Sequence, residues 1–149
     1  SLEQLEEAAG IAQASDFIAQ KEDGYQSEVA QDASNFSGGQ KQRLSIARAI
    51  AARPEILLFD DSFSALDYRT DLKVRQALRE RLGGATVLIV AQRIATVMQA
   101  DKILVITEGR LAAQGTHSEL MKNSPEYQQI ARSQLSDEEL SGEGSVQHG

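Results

Sequence analysis

Two clusters of residues have the types and spacing to handle phosphate and a divalent cation. The first is Ser37-Gly38-Gly39-Gln40, directly ahead of Lys41-Gln42-Arg43-Leu44-Ser45-Ile46-Ala47-Arg48. Two glycines leave backbone N–H groups uncovered, Ser37 adds a hydroxyl, and a helix starting here carries partial positive charge at its N-terminus. Together these can hold a phosphate. The second cluster is Asp60-Asp61, which closes the apolar run Ile56-Leu57-Leu58-Phe59. A phosphate cradle followed by a strand ending in carboxylates fits nucleotide and Mg²⁺ chemistry. Each cluster also has a plainer use: a Gly-rich helix start that binds nothing, and a solvated strand end.

The flanking pattern supplies elements to position them. The helix after Ser37 is expected over about Gly39 to Ala52. Leu44, Ala47 and Ala51 form one stripe, with Ile46 and Ile50 beside it and Arg43 on the more polar side. Pro54 stops it, lacking an N–H and restricting Arg53 before it. Ile56–Phe59 has no polar alternation, as in a strand buried on both faces. Asp67 is placed to cap a helix from Tyr68 to about Leu82, with Val74, Ala77, Leu78 and Leu82 inward and Gly83-Gly84 as its stop. Thr86–Val90 reads as a second buried strand. Strand, helix and strand with short links imply a parallel sheet and a right-handed crossover.

Upstream, Leu2, Leu5, Ala9 and Ala12 suggest a helix from Leu2 to Gln13, and Ser15 or Asp16 could cap a short second helix holding Phe17 and Ile18. Gly24-Tyr25 reads as a turn and Ser27–Ser34 as a polar loop. Downstream come a short helix over Ile94–Gln99, a strand over Lys102–Thr107, and a turn at Glu108-Gly109 into Arg110–Gln114, giving a hairpin. Thr116-x-x-Glu119 is a capping box with His117 as a surface residue of its first turn, and Pro125 opens a last helix to about Ser133.

The net charge of -7 is uneven. Residues 1–36 balance to -7, residues 37–136 to +4, and residues 137–149 to -4 without a Lys or Arg. The basic middle holds both candidate clusters, although most of its Lys and Arg fit a solvated helix face. Aromatics are 5% of the chain and do not interleave with the basic residues, which argues against nucleic acid as a partner. With 0 Cys, disulfides and thiolate metal sites are excluded. No apolar run reaches the ~18 residues of a membrane span.

Four segments together resemble ABC-type ATPases. Ser37-Gly38-Gly39-Gln40 is similar to their signature motif, with Phe36 where Leu is usual. Ile56–Asp60 is similar to the Walker B strand, Ser64-Ala65-Leu66-Asp67 resembles the D-loop, and in Val90-Ala91-Gln92-Arg93 the place of the switch histidine is held by Gln92. The resemblance runs from residue 1 to about 134. Glu108-Gly109-Arg110 and Gln114-Gly115-Thr116-His117-x-Glu119-Leu120 are similar to the C-terminal part of exporter domains. Ser27–Ala33 matches only partly the segment that faces the membrane domain in exporters. No Gly-x-x-x-x-Gly-Lys-Ser/Thr occurs, so there is no Walker A loop, and no glutamine loop precedes the signature.

The resemblance implies an α/β, incomplete P-loop NTPase fold with a parallel sheet, part of the helical subdomain, and a C-terminal hairpin plus helices. Residues 1–134 are expected to be the C-terminal part of a nucleotide-binding domain, with 1–53 in the helical subdomain and 54–134 carrying Walker B, D-loop and switch; 135–149 form a disordered acidic tail. The Walker A strand that lies beside the switch strand in the family is absent, so an exposed apolar sheet edge is expected.

By the same resemblance Ser37, Gly38 and Gly39 bind the γ-phosphate of ATP held by a second ABC subunit, and Gln40 supports the loop. Asp60 holds Mg²⁺ through water, Asp61 takes the place of the catalytic glutamate, and Ser64, Ala65, Leu66 and Asp67 lie at the subunit interface. Asp67 also reads as a helix cap. Asp61 is one methylene short, and a misplacement of ~1 Å can cost about a hundredfold in rate. Gln92 hydrogen-bonds but cannot exchange a proton near neutral pH. A slow site of its own beside an intact signature implies a heterodimeric exporter whose parent chain carries a transmembrane domain and works at the cytoplasmic face of the membrane. Without a Walker A lysine the chain alone is expected not to hydrolyse ATP. Two other readings share some motifs: a non-catalytic regulatory ATP-binding module, and an SMC-type ATPase head lobe, whose preceding coiled coil has no counterpart in residues 1–36.

Overall fold

In the computed structural model, which describes residues 1–82 and 84–135, the chain forms two units, Ser1–Val90 and a second beginning at Ala91. In the first, α1 (Leu2–Ile11) starts at a capping box made by Ser1 and Gln4. It stops short of Gln13, whose φ of 56° lies in the left-handed region. α2 (Ser15–Ala19) follows at once and buries Phe17 and Ile18. Neither Ser15 nor Asp16 caps it: Ala14 occupies the cap position and its N–H is spent on Ala9 O at 2.7 Å. The polar stretch beyond contains 3₁₀ turns at Gly24–Gln26 and Gln31–Ala33.

α3 (Gly38–Ala51) buries Ile46 and Ile50, while Leu44 and Ala47 are half-buried. The expected stripe is therefore rotated toward the isoleucines. Arg43 rotates inward with it. Its Nη1 donates to Gln13 O at 2.7 Å and its guanidinium lies over the Phe17 ring at 4.8 Å. The long stem packs on apolar surface while the head closes the open carbonyl end of α1.

β1 (Ile56–Asp60) pairs in parallel with β2 (Thr86–Val90), from Ile56 opposite Thr86 to Asp60 opposite Val90. The crossover carries α4 (Tyr68–Arg81), capped by Asp67, with Val74 and Leu78 buried. Its expected stop falls partly on Gly83, outside the described residues; Gly84 adopts φ 93°. Inside α4 the buried Asp71 accepts from Arg75 Nε at 2.9 Å and Nη2 at 3.2 Å.

The two strands are not covered on both faces. Leu57 and Phe59 are buried, whereas Ile56 is 68% and Leu58 62% exposed, with Leu88 and Val90 outward on the same face. An apolar run without alternation fits two covering layers, but this unit supplies a layer on one side only. The core comprises Ala9, Ile11, Ile46, Ile50, Leu57, Phe59, Val74 and Leu78 among others.

The second unit contains α5 (Ile94–Val97), shorter than expected, and the antiparallel pair β3 (Ile103–Thr107) and β4 (Arg110–Gly115). Glu108 (φ 51°) and Gly109 (φ 73°) link them with both central residues left-handed, the turn that matches strand twist in a tight hairpin. α6 (His117–Asn123) and α7 (Pro125–Gln134) complete it, capped by Thr116 and Ser124. Ile94, Ile103, Val105, Leu120, Tyr127 and Ala131 form its core. The expected acidic tail lies, from residue 136 onward, outside the described residues. Among the described residues no helix is long and apolar enough to cross a membrane.

Candidate functional site

Ser37 has extended backbone (φ -69°, ψ 162°) and its Oγ accepts from Gln40 N at 3.3 Å, while Gln40 Oε1 accepts from Ser37 N at 2.9 Å. The first helical bond runs from Lys41 N to Ser37 O at 2.9 Å. The N–H groups of Gly38 and Gly39 precede it and have no acceptor within the helix. Ser37 and Gly38 are exposed, and no acidic residue stands in the first turn. The preceding loop is tied down from several directions. Asn35 Nδ2 donates to Glu28 O at 3.1 Å, Lys41 Nζ to Asp32 O at 2.8 Å, and Lys21 Nζ lies over the Phe36 ring at 4.5 Å. The helix start is thus presented on a pinned loop, with its positive end toward solvent.

The second cluster ends β1. Asp60 and Asp61 are both exposed, and Asp61 has a left-handed φ of 47°. Asp61 N donates to Val90 O at 3.1 Å, and Asp61 O accepts from Ser64 Oγ at 3.0 Å and Ser64 N at 3.4 Å. Phe63 and Leu66 anchor the loop in the core, Phe63 edge-on to Phe59 at 5.5 Å. Asp67 Oδ1 accepts from Thr70 N at 3.0 Å, so its role as a helix cap is observed directly. Hydrogen bonds from Thr70 hold its carboxyl below the ordinary value.

The first unit brings these two clusters together. A Cβ on Gly39 would meet Ala65 O at 3.2 Å and Leu66 Cδ2 at 3.9 Å, and one on Gly38 would meet Ala65 Cβ at 4.0 Å. Gln42 crosses the same gap: Oε1 accepts from Ala65 N at 2.9 Å, and Nε2 donates to Ser64 Oγ at 3.2 Å and Asp61 O at 3.4 Å. Sequence reasoning passed over Gln42. Nothing local to it marks it, because its partners lie about twenty residues downstream.

Gln92 belongs to the second unit, where its side chain is exposed. Its carbonyl accepts from Gln134 Nε2 at 2.9 Å, and Gln134 Oε1 accepts from Ile94 N at 2.9 Å. Gln134, also passed over, thereby fixes the backbone around Gln92. His117 is half-buried rather than a surface residue, with Nδ1 2.8 Å from Tyr127 Oη. Burial pushes its pKa below 6.5 and that of Tyr127 above 10.0.

Among the described residues no group of 3 or more His, Cys, Asp or Glu could form a protein metal cage. Two adjacent exposed carboxylates suit instead an ion that keeps its waters and shares its ligands with a phosphate, as Mg²⁺ does. The donors at Ser37, Gly38 and Gly39 suit a phosphate oxygen. The residues fit magnesium and a triphosphate as joint ligands.

A family model described as "ABC transporter" matches residues 3–64. An ABC transporter ATP-binding protein of Mycobacterium tuberculosis (strain ATCC 25618 / H37Rv) is 45% identical over 142 residues, covering 95% of this chain and 24% of that protein. The leukotoxin translocation ATP-binding protein of Mannheimia glucosida is 42% identical over 124 residues, covering 83% and 18%. A solved bacterial Atm1-family ABC exporter with ATP bound is similar at a TM-score of 0.84 and 39% identity, covering 91% of this chain and 24% of that one. The chain spans about a quarter (24%) of the length of the first of these relatives.

Proposed function

The chain belongs to the ABC transporter family, and on that premise we propose that it lends the signature half of an ATP site to a second ABC subunit of an exporter. The observation that carries this reading is the start of α3: the Ser37 hydroxyl and the Gly38 and Gly39 N–H groups lie together at a helix start with no acid in its first turn. Such donors bind a phosphate oxygen but cannot alone grip a triphosphate, so the lysine belongs to the partner subunit. Residues 1–134 are then the C-terminal part of a nucleotide-binding domain at the cytoplasmic face of the membrane, in a parent chain with a transmembrane domain. The similarity to an exporter with ATP bound and to a translocation ATP-binding protein supports this placement.

Asp60 and Asp61 serve the chain's own nucleotide. Bound magnesium neutralises the oxygens of the phosphates. Asp60 would hold the ion through water, and Asp61, in the place of the catalytic glutamate, would orient the attacking water from one methylene further away. Gln92 donates a hydrogen bond without exchanging a proton. That site is therefore slow, the site completed by Ser37 is fast, and the complex is a heterodimer.

Single-turnover hydrolysis with nucleotide trapping in the assembled complex tests the reading. Hydrolysis is expected at the site completed by Ser37, with intact ATP retained at the site that uses Asp61. Equal hydrolysis at both removes the asymmetric reading, and crosslinks that place Gly38 away from bound nucleotide remove the signature role.

A further inference from the structure

Asp61 holds a backbone conformation that a residue with a Cβ adopts only when its surroundings fix it. Its N–H is fixed by Val90 O at 3.1 Å, and Ser64 of its own loop bonds its carbonyl. The remaining contact to that carbonyl, Gln42 Nε2 at 3.4 Å, comes from α3, four residues after Gly38. The same amide takes the Ala65 N–H on its oxygen at 2.9 Å and gives its second hydrogen to Ser64 Oγ at 3.2 Å. This geometry needs one acceptor and one donor on a single side chain, which an amide supplies and a carboxylate or thioether does not. Gly39 adds a second tie, its Cα close enough to Ala65 that a Cβ would press on Ala65 O at 3.2 Å.

We propose that Gln42 is a positioning residue that locks the Asp61–Ala65 loop to the helix carrying Ser37. The group acting on this chain's own nucleotide and the group lent to the second subunit then move as one body. The inference rests on the roles given above to Ser37 and Asp61. A displacement of the signature on nucleotide binding is thereby passed to the Asp61 backbone, and the reverse.

The test uses the intact complex containing this chain with Q42M, which keeps length and loses every bond, and Q42E, which keeps the acceptor for Ala65 and loses the donors. Amide exchange at Ala65, read without nucleotide, is expected to speed about fivefold in Q42M, the loss of one ordinary hydrogen bond, and to stay near the parent rate in Q42E. Turnover, which the site completed by Ser37 carries, is expected to fall about tenfold in both, with KM for ATP within about twofold, because a helix start released from the Asp61–Ala65 loop holds Ser37 less firmly against the reacting phosphate, and a misplacement of a fraction of an ångström loses rate rather than binding. Unchanged Ala65 exchange in Q42M overturns the bridge. Faster exchange with unchanged kcat in both variants overturns the positioning role and leaves a structural tie. S37A in the same complex separates the two failures. If S37A abolishes turnover and Q42M spares it, only the inference fails; if both spare it, the ATP-site reading fails and the inference falls with it.

Discussion

Two helices begin with the same four-residue device, to different ends. At α3, Ser37 Oγ accepts from Gln40 N at 3.3 Å and Gln40 Oε1 accepts from Ser37 N at 2.9 Å. At α6, Thr116 Oγ1 accepts from Glu119 N at 3.3 Å and Glu119 Oε2 accepts from Thr116 N at 2.8 Å. The hydrogen-bond lengths agree, but the charges do not. Glu119 Oε2 also takes the Thr116 hydroxyl at 3.0 Å, and a Cβ on Gly115 would lie 2.9 Å from it. That helix end is neutralised by its own carboxylate, with its hydroxyl hydrogen already used. At α3 the closing side chain is a neutral amide, the next residues are glycines, and the Ser37 hydroxyl hydrogen is not spent within the box. A capping box is thus a structural signal; the charge of its last residue and the bulk of its middle two decide whether an anion can be received.

The difference is broken most severely by S37A. Loss of one preorganised donor to a developing phosphate charge lowers turnover by about a hundredfold, and loss of the cap also costs about 1 kcal/mol of stability. Steady-state ATP hydrolysis and thermal melting of the assembled complex separate the two. If the start of α3 were only a cap, melting would fall and turnover would hold. Q40E gives α3 the chemistry of α6. At an effective dielectric of ~20 and a separation of ~10 Å, like unit charges repel by ~1.7 kcal/mol, so nucleotide-dependent turnover should drop more than tenfold. Melting should hold or rise, because a carboxylate suits a helix N-terminus. E119Q, the reverse exchange, should leave turnover unchanged.

Much of this contrast was legible in the sequence. Ser37, Asp67 and Thr116 announce their helix starts through side chains that reach only three residues ahead, and Pro54 announces a stop. The parallel pairing of β1 and β2 followed from strand, helix and strand. What failed depends on partners far along the chain. Arg43 looked outward by charge, but Gln13 O and the Phe17 ring, both about thirty residues earlier, draw its head inward. Ile56 and Leu58 looked buried by hydropathy, but burial of a second face needs another layer, which no run of five residues reports. Gln42 resembled an ordinary helix-surface amide until the loop around Ala65 closed on it.

T116A tests the structural box directly. It should cost the second unit about 1 kcal/mol, the usual worth of a hydroxyl cap, with no effect on turnover beyond that stability loss. Chemical denaturation at constant slope reads it, and a loss of turnover at full folding would mean that α6 takes part in the site after all.

The smallest effect, and the one that isolates charge, is pH dependence. Hydrogen bonds from the Thr116 backbone and then its hydroxyl hold the Glu119 carboxyl below its ordinary value of 4.5. A depressed folded value means that the unfolded chain takes up the proton first. The stabilisation is therefore complete above pH 4.5 and is lost as pH falls through the lower folded value. His117 in the same helix, its pKa lowered from 6.5 by burial, follows the same sign in a higher window, losing stability as pH falls below 6.5. Melting of E119Q against the parent should thus run parallel from neutral pH down through the His117 window and depart from parallel only below about 4.5, where the parent loses the Glu119 share in addition to the Asp67 share that both proteins lose. Q40E should acquire in α3 the acid slope that E119Q loses in α6, since it places a titrating carboxyl in the same two-bond geometry. Curves that stay parallel throughout for both variants would mean that neither carboxyl senses its helix end, and the electrostatic distinction between the two boxes would go with it.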